Sequence, residues 1–406
     1  MVRPGGPRRG SRHARRLLAT LVALGCAAAA ALGTPAPASA GGAPVPAIRG
    51  RAADPVEPGR PGDVVWWAPS PTPPTSARAW RIIYRSTTAI GRPTVVSGMV
   101  LVPAAPFPGT RPLVAYASGT QGWGDQCAPS RTIPAGSFGE LVAVNGLLAK
   151  GWAVVVTDYP GLGTPGSHRY NVGIAEGLAV LDALRAAVRL PPAGLDPSAP
   201  AAVAGYSQGG GAAGWAAQLQ PVYAPSLPLV GVAAGGTPAD LRAVATQING
   251  SFWFAFLAGT AVGFDAAYPF LDLDRYLTAE GEAAARELSG LCVADGLLRF
   301  AGRRIEDYTV GGINPIDRPA WRLVLRLNDL GAVPPAVPLL QFHGRADQII
   351  PWEVEAALHR RWCALGVTTK LNGYDGDHVQ TALLAQADVV RWLEDRFAGR
   401  PAPANC

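Results

Sequence analysis

The hydrophobic pattern of this chain switches period repeatedly, and the switches outline alternating strands and helices. Residues 80–85 (Trp-Arg-Ile-Ile-Tyr-Arg) and 95–102 read as antiparallel strands joined at Ile90-Gly91-Arg92-Pro93. Residues 113–116 form a third apolar strand, and 138–150 carry helical periodicity that stops at Gly151. Residues 152–158 are almost wholly apolar, as expected of a strand buried on both faces of a parallel sheet. A helix over 172–190 ends before Pro191, strands follow at 201–204 and 229–234, and a helix rich in small residues over 210–219 lies between them. This βαβαβ order predicts an α/β fold: a mostly parallel central sheet covered by helices on both faces.

The rhythm then lapses. Residues 240–335 mix helical stretches and loops with no strand period, and alternation resumes with a strand at 337–342. A helix over 352–365, a strand at 368–371 and a helix over 379–397 complete the chain. The expected organisation is a core of residues 76–239 and 336–406 with a mainly helical cap, 240–335, inserted into it. Residues 41–75 are rich in Pro, Gly and Ala and read as an extended N-terminal segment without a core of its own.

The first 40 residues read as an export signal. Six arginines precede an apolar run over 17–32, and Ala38-Ser39-Ala40 offers a cleavage site. Arg15-Arg16 gives weak twin-arginine character, so either the Sec or the twin-arginine route is open, and a secreted, extracellular location is expected. No other apolar run reaches the roughly 18–20 residues of a membrane span, so no transmembrane segment is expected in the mature chain. Those arginines, with no acid among them, account for the whole formal charge of +6. The mature chain is then near neutral, and the high pI gives no support for a nucleic-acid partner. An apolar fraction of 49% over 406 residues is enough for a large core.

Four cysteines follow the signal: Cys127, Cys292, Cys363 and Cys406. An even number in an exported chain suggests two disulfides, for which three pairings exist. The favoured one is Cys127–Cys292, tying a loop to the inserted region, with Cys363–Cys406 pinning the C-terminal tail. No C-x-x-C or H-E-x-x-H occurs, so no metal or other cofactor is expected.

The chemistry centres on Gly205-Tyr206-Ser207-Gln208-Gly209. A G-x-S-x-G between a strand and a helix is the setting of a nucleophile elbow, a strained turn that lifts the serine hydroxyl clear of the sheet. A serine needs a base and the base an orienting acid, in chain order Ser, Asp or Glu, His. His378, after the last strand and before the last helix, is the expected base. Asp347, in His343-Gly344-Arg345-Ala346-Asp347 after the penultimate strand, is the expected acid, with Asp375 and Asp377 as rivals. His168 lies in a Gly/Pro loop before the elbow, and His359 reads as a solvated helix residue. An oxyanion hole requires two backbone N–H groups. Gln208 should supply one and the loop of Ser118, Gly119 and Thr120 the other, with Ser118 standing where many hydrolases carry histidine.

Three stretches carry a family resemblance: 119–122 (Gly-Thr-Gln-Gly) with 125–130 (Asp-Gln-Cys-Ala-Pro-Ser), 157–163 (Thr-Asp-Tyr-Pro-Gly-Leu-Gly), and 205–210. With the cap placed between Ser207 and Asp347, residues 60–400 resemble secreted lipases of the lipase A-like branch of the α/β-hydrolases. The resemblance implies the α/β-hydrolase fold, a Ser207–Asp347–His378 triad, and hydrolysis of carboxylic esters, often acylglycerols. It also supports the favoured disulfide pairing. Expected partners are a lipid or small ester substrate, with a transient lipid interface as one reading of the aromatic stretch 251–258 of the cap and core packing of the cap helices as the other. A peptidase or acyltransferase using the same triad is the enzymatic alternative. A non-catalytic binding protein on the same fold is the other, although triad and elbow glycines are all present.

Overall fold

The computed structural model describes residues 59–71 and 77–406. The export signal 1–40 and most of the 41–75 segment therefore lie outside the described residues. Among the described residues, nine strands form one sheet in the order β1-β2-β3-β5-β4-β6-β7-β8-β9. They are β1 (Val64–Pro69), β2 (Ala77–Thr87), β3 (Pro93–Pro103), β4 (Leu113–Ala117), β5 (Ala153–Thr157), β6 (Ala201–Tyr206), β7 (Leu229–Gly235), β8 (Leu339–Gly344) and β9 (Thr369–Tyr374). The β1–β2, β2–β3 and β3–β5 pairs are antiparallel, and every pairing from β5 to β9 is parallel. The fold is that of an α/β-hydrolase. β1 falls inside the segment read as an extended leader and closes one edge of the sheet through β2.

Two apolar layers account for the sheet's burial on both faces. Along β5, Val155 faces one layer while Val154 and Val156 face the other; along β6, Val203 faces the first and Ala202 and Ala204 the second. This is the period-2 alternation of a strand, with both faces apolar because both are covered. Helices α3 (Gly173–Arg189) and α4 (Gln208–Tyr223) cover one face, and α1 (Pro129–Ala135) and α2 (Leu141–Ala149) lie on the other. The C-terminal helical stretch joins α2 on that second face, but as two helices, α11 (His378–Leu384) and α12 (Gln386–Phe397), with the fully buried Ala385 between them. The helix following β8, α10 (Trp352–Ala364), packs on the first face.

Between β7 and β8 the chain adds no strand to the sheet. It forms α5 (Leu241–Ile248), α6 (Phe254–Ala267), α7 (Ala279–Leu288), α8 (Val293–Phe300) and α9 (Pro319–Leu327), separated by short 3-10 turns. Cys127–Cys292 joins this region to the loop after β4, and Cys363–Cys406 ties the C-terminus to α10. Around the first bridge, Trp123 N–H donates to the Leu291 carbonyl and Val293 N–H to the Gln121 carbonyl. Among the described residues no single helix is long and apolar enough to cross a membrane.

Candidate active site

The elbow is a strained turn between β6 and α4. Ser207 has φ 60° and ψ −123°, a conformation that side-chain-bearing residues rarely adopt. Its backbone N–H donates to the Gly235 carbonyl on β7 at 2.9 Å. A Cβ at Gly209 would lie 1.9 Å from the Ala117 carbonyl oxygen, and one at Gly205 would lie 2.2 Å from the Gly209 carbonyl oxygen. Only glycine lets α4 start this close to β4 and β6.

The structure brings Ser207, His378 and Asp347 together from three strand ends. His378 Nε2 lies 2.9 Å from Ser207 Oγ, and His378 Nδ1 lies 2.6 Å from Asp347 Oδ2. A carboxylate can only accept here, so Nδ1 carries the ring proton and Nε2 is left to accept from the serine hydroxyl. The Asp347 Oδ1 atom accepts from the N–H groups of Ile349 (2.9 Å) and Ile350 (2.8 Å). Burial alone would push the Asp347 carboxyl up. The hydrogen bond and charge of His378, with His343 and the Ile350 N–H, outweigh it and hold the group below the usual aspartate range. The His378 backbone is fixed as well: its carbonyl accepts from Tyr206 Oη at 2.8 Å, and its N–H donates to Gln348 Oε1 at 3.1 Å.

The rival acids are elsewhere. The Asp377 side chain accepts from Gln380 N–H and caps α11, and Asp375 is exposed beside Arg345. His343 is buried behind Asp347, with Nε2 donating to the Ile350 carbonyl (2.8 Å) and Nδ1 to Glu355 (3.2 Å). Burial pulls its pKa down, but Glu355, Asp347 and the Ile350 carbonyl outweigh it and hold the ring above the ordinary histidine value. His359 is not solvated as its flanking arginines suggest. It faces β8, buried, with Nδ1 donating to Gln341 Oε1 at 2.9 Å. His359, Cys363 and Cys406 cluster, but the two sulfurs are bonded to each other, which removes the thiolates a metal would need.

Next to the serine, Gln208 is buried and donates through Nε2 to Glu176 Oε1 at 2.7 Å. Asn171 N–H donates to the same oxygen at 2.9 Å. Burial pushes the Glu176 carboxyl up to about 8, more than these two bonds pull it down. His168 packs behind Gln208, donates through Nδ1 to the Gly122 carbonyl (3.1 Å), and is held neutral by burial with a pKa of about 4. Facing them, the loop after β4 is gripped at successive atoms. Ser118 O accepts from Tyr159 Oη at 2.8 Å, Gly119 N–H donates to both Glu140 oxygens at 2.9 and 3.1 Å, and Thr120 Oγ1 meets Tyr170 Oη at 2.7 Å. Tyr159 itself has φ 66°. Sequence reasoning missed Glu140, Glu176, Tyr159 and Tyr170. Glu176 carried a signal, being an acid inside the apolar run 173–179, whereas nothing in the sequence marked Glu140 as contacting the 118–120 loop.

A cleft of about 430 Å³, open space included, reaches Ser207 and Gln208. Leu241, Val244, Ala245 and Ile248 of α5 and Phe256 and Leu257 of α6 line it, so its wall is mostly apolar and mostly supplied by the region between β7 and β8. An apolar wall beside the serine suits an apolar group of a ligand.

A family model described as secretory lipase matches residues 132–405. The probable inactive lipase MT1628 of Mycobacterium tuberculosis is 31% identical over 81% of this chain and 75% of its own length. The secreted triacylglycerol lipase LIP4 of Malassezia globosa is 30% identical over 81% of this chain and 74% of its own length. Among solved structures, the closed state of Candida antarctica lipase A superposes with a TM-score of 0.78 at 22% identity, covering 86% of each chain.

Proposed function

The chain belongs to the secretory lipase family, and from that premise we propose that it is an exported serine hydrolase cleaving carboxylic esters, acylglycerols or simpler esters, through an acyl-enzyme on Ser207. The observation that carries the proposal is the continuous hydrogen-bonded line from Ser207 Oγ through His378 to Asp347. In this reading Ser207 Oγ attacks the ester carbonyl carbon while its proton passes to His378 Nε2. Asp347 stabilises the resulting imidazolium without taking the proton. The C–O bond to the alcohol then breaks, and the leaving oxygen takes the proton from Nε2. Water attacks the acyl-enzyme through the same base, releases the acid and restores Ser207. The oxyanion is assigned to the N–H of Gln208, for which no acceptor is found among the described residues, and to one from the Ser118–Thr120 loop.

The region 240–335 acts, in this proposal, as a cap that supplies the acyl-binding wall. The apolar lining from α5 and α6 supports that assignment, as does the lack of any sheet strand between β7 and β8 among the described residues; the proposed core is then 76–239 and 336–406. Export through the 1–40 signal is consistent with the two disulfides and with the secreted relatives. A second reading, a protein that binds without turnover, is favoured by one observation: the Mycobacterium tuberculosis relative is named a probable inactive lipase. The side chains that turnover requires are nonetheless in hydrogen-bond contact in this chain.

Rates on p-nitrophenyl esters of rising chain length, below and above their solubility limit, test the proposal. Turnover that rises with chain length and jumps at the interface supports a lipase, and turnover limited to short soluble esters supports an esterase. No ester turnover, with peptide cleavage instead, would reject both.

A further inference from the structure

Glu140 stands at the N-cap of α2, yet its side chain makes no cap bond to that helix. It turns instead to the loop after β4. Its carboxylate accepts from the Gly119 N–H, from Gln121 Nε2 at 3.1 Å and from Tyr116 Oη at 2.6 Å. All three partners are donors, so an ionised carboxylate satisfies them together, and charge-assisted bonds of this kind are roughly twice as strong as neutral ones. The contact is close: a Cβ at Gly119 would lie 2.7 Å from Glu140 Oε1 and 3.3 Å from the Tyr206 carbonyl oxygen.

The consequence is a division of labour among the three residues expected to complete the oxyanion hole. The Gly119 N–H is spent on Glu140 and cannot face a substrate. The carbonyl of Ser118 is held by Tyr159. With the Gly119 N–H taken, the next N–H along this loop is that of Thr120. No acceptor is found for the Thr120 N–H among the described residues. Its side chain meets Tyr170, which lines the cleft with Ser207 and Gln208.

We propose that Glu140 is a positioning residue for ester hydrolysis, holding Gly119 so that the Thr120 N–H serves as the second oxyanion donor. The proposal rests on the assignment of Ser207 as nucleophile. Burial pushes the Glu140 carboxyl up from its ordinary value, against the pull of Tyr116 and Gly119, so the clamp weakens as acid protonates it.

The test uses the full mature chain, a soluble p-nitrophenyl ester, and a trifluoromethyl ketone whose adduct with the serine places an anionic oxygen in the hole. Glu140→Leu removes every acceptor. Its kcat should fall by about 10²-fold, the scale of a 1 Å misplacement, with KM nearly unchanged. Its affinity for the ketone should fall by the same factor. Glu140→Gln keeps one acceptor for Gly119 and should lose only about tenfold in both, in line with the weaker neutral bond. Should Glu140→Leu fail to fold, Glu140→Gln carries the test alone. Unchanged ketone affinity in a folded variant would overturn the proposal, and so would a loss confined to KM or to thermal stability. Ser207→Ala separates the two levels: if it retains turnover, the nucleophile assignment fails, whereas an inactive Ser207→Ala beside fully active Glu140 variants defeats only the clamp.

Discussion

Replacing Glu176 by glutamine should change how stability depends on pH. Glu176 lies in the first turn of α3, with a single oxygen accepting from Gln208 and Asn171. The neighbouring histidine is neutral, and burial pushes the Glu176 carboxyl from 4.5 to about 8. Below about 4.5 the group is protonated in both folded and unfolded chains and costs nothing. Between 4.5 and 8 the folded chain holds a proton that the unfolded chain has released. Stability therefore falls as pH rises, by about 1.4 kcal/mol per pH unit, and levels off above about 8. The gap between the two values corresponds to about 5 kcal/mol in all, of which about 4 kcal/mol falls between pH 5 and pH 9. Glutamine keeps an acceptor oxygen for both donors and never ionises, so Glu176→Gln should escape this loss. Urea or calorimetric unfolding of both proteins at pH 5 and pH 9 measures it. The variant should be close to wild type at pH 5 and more stable by several kcal/mol at pH 9. Other buried acids, such as Asp182 and Asp329, are raised to about 6 in both proteins and cancel in the comparison. Equal pH slopes for the two proteins would refute the argument that burial dominates at this site.

Three further outcomes follow from the geometry. Asp347→Asn should lower kcat by about 10⁴-fold with KM within a few fold, because the amide cannot stabilise the imidazolium; a loss below tenfold in steady-state assays would remove Asp347 from the triad. Ala245→Trp fills the cleft from α5, so turnover of octanoate esters should drop far more than that of acetate esters; equal losses would place the acyl chain elsewhere. Replacing Cys127 and Cys292 by serine opens a closure of 165 residues and should cost up to about 5 kcal/mol in chain entropy. It should also lower kcat, since the bridge anchors the loop beside the site, while loss of Cys363–Cys406 should reduce unfolding stability and leave kcat alone.

Much of the fold was legible because the strands are apolar runs with sharp stops. The buried β5 and the small-residue start of α4 left little ambiguity of period or place. β1 was missed because the Pro and Gly around it mask its short apolar run Val64-Val65-Trp66-Trp67, although it pairs with the very next strand. The single helix expected over 379–397 divides at Ala385, a break without a Gly or Pro to announce it. At the site, chain order and loop chemistry sufficed to select Ser207, Asp347 and His378 as residues that meet. The buried glutamates were harder, because their partners are backbone N–H groups brought together by folding. His359 was misread for a related reason: flanking arginines marked the helix as exposed, but its own position on the helical turn faces β8.

The central claim is that Ser207 is an activated nucleophile, and labelling with a fluorophosphonate tests it most directly. The expected result is one adduct on the peptide carrying Ser207, formed in proportion to loss of ester turnover and absent from Ser207→Ala. A folded protein that stays unlabelled, an adduct on another residue, or turnover retained by Ser207→Ala would contradict it.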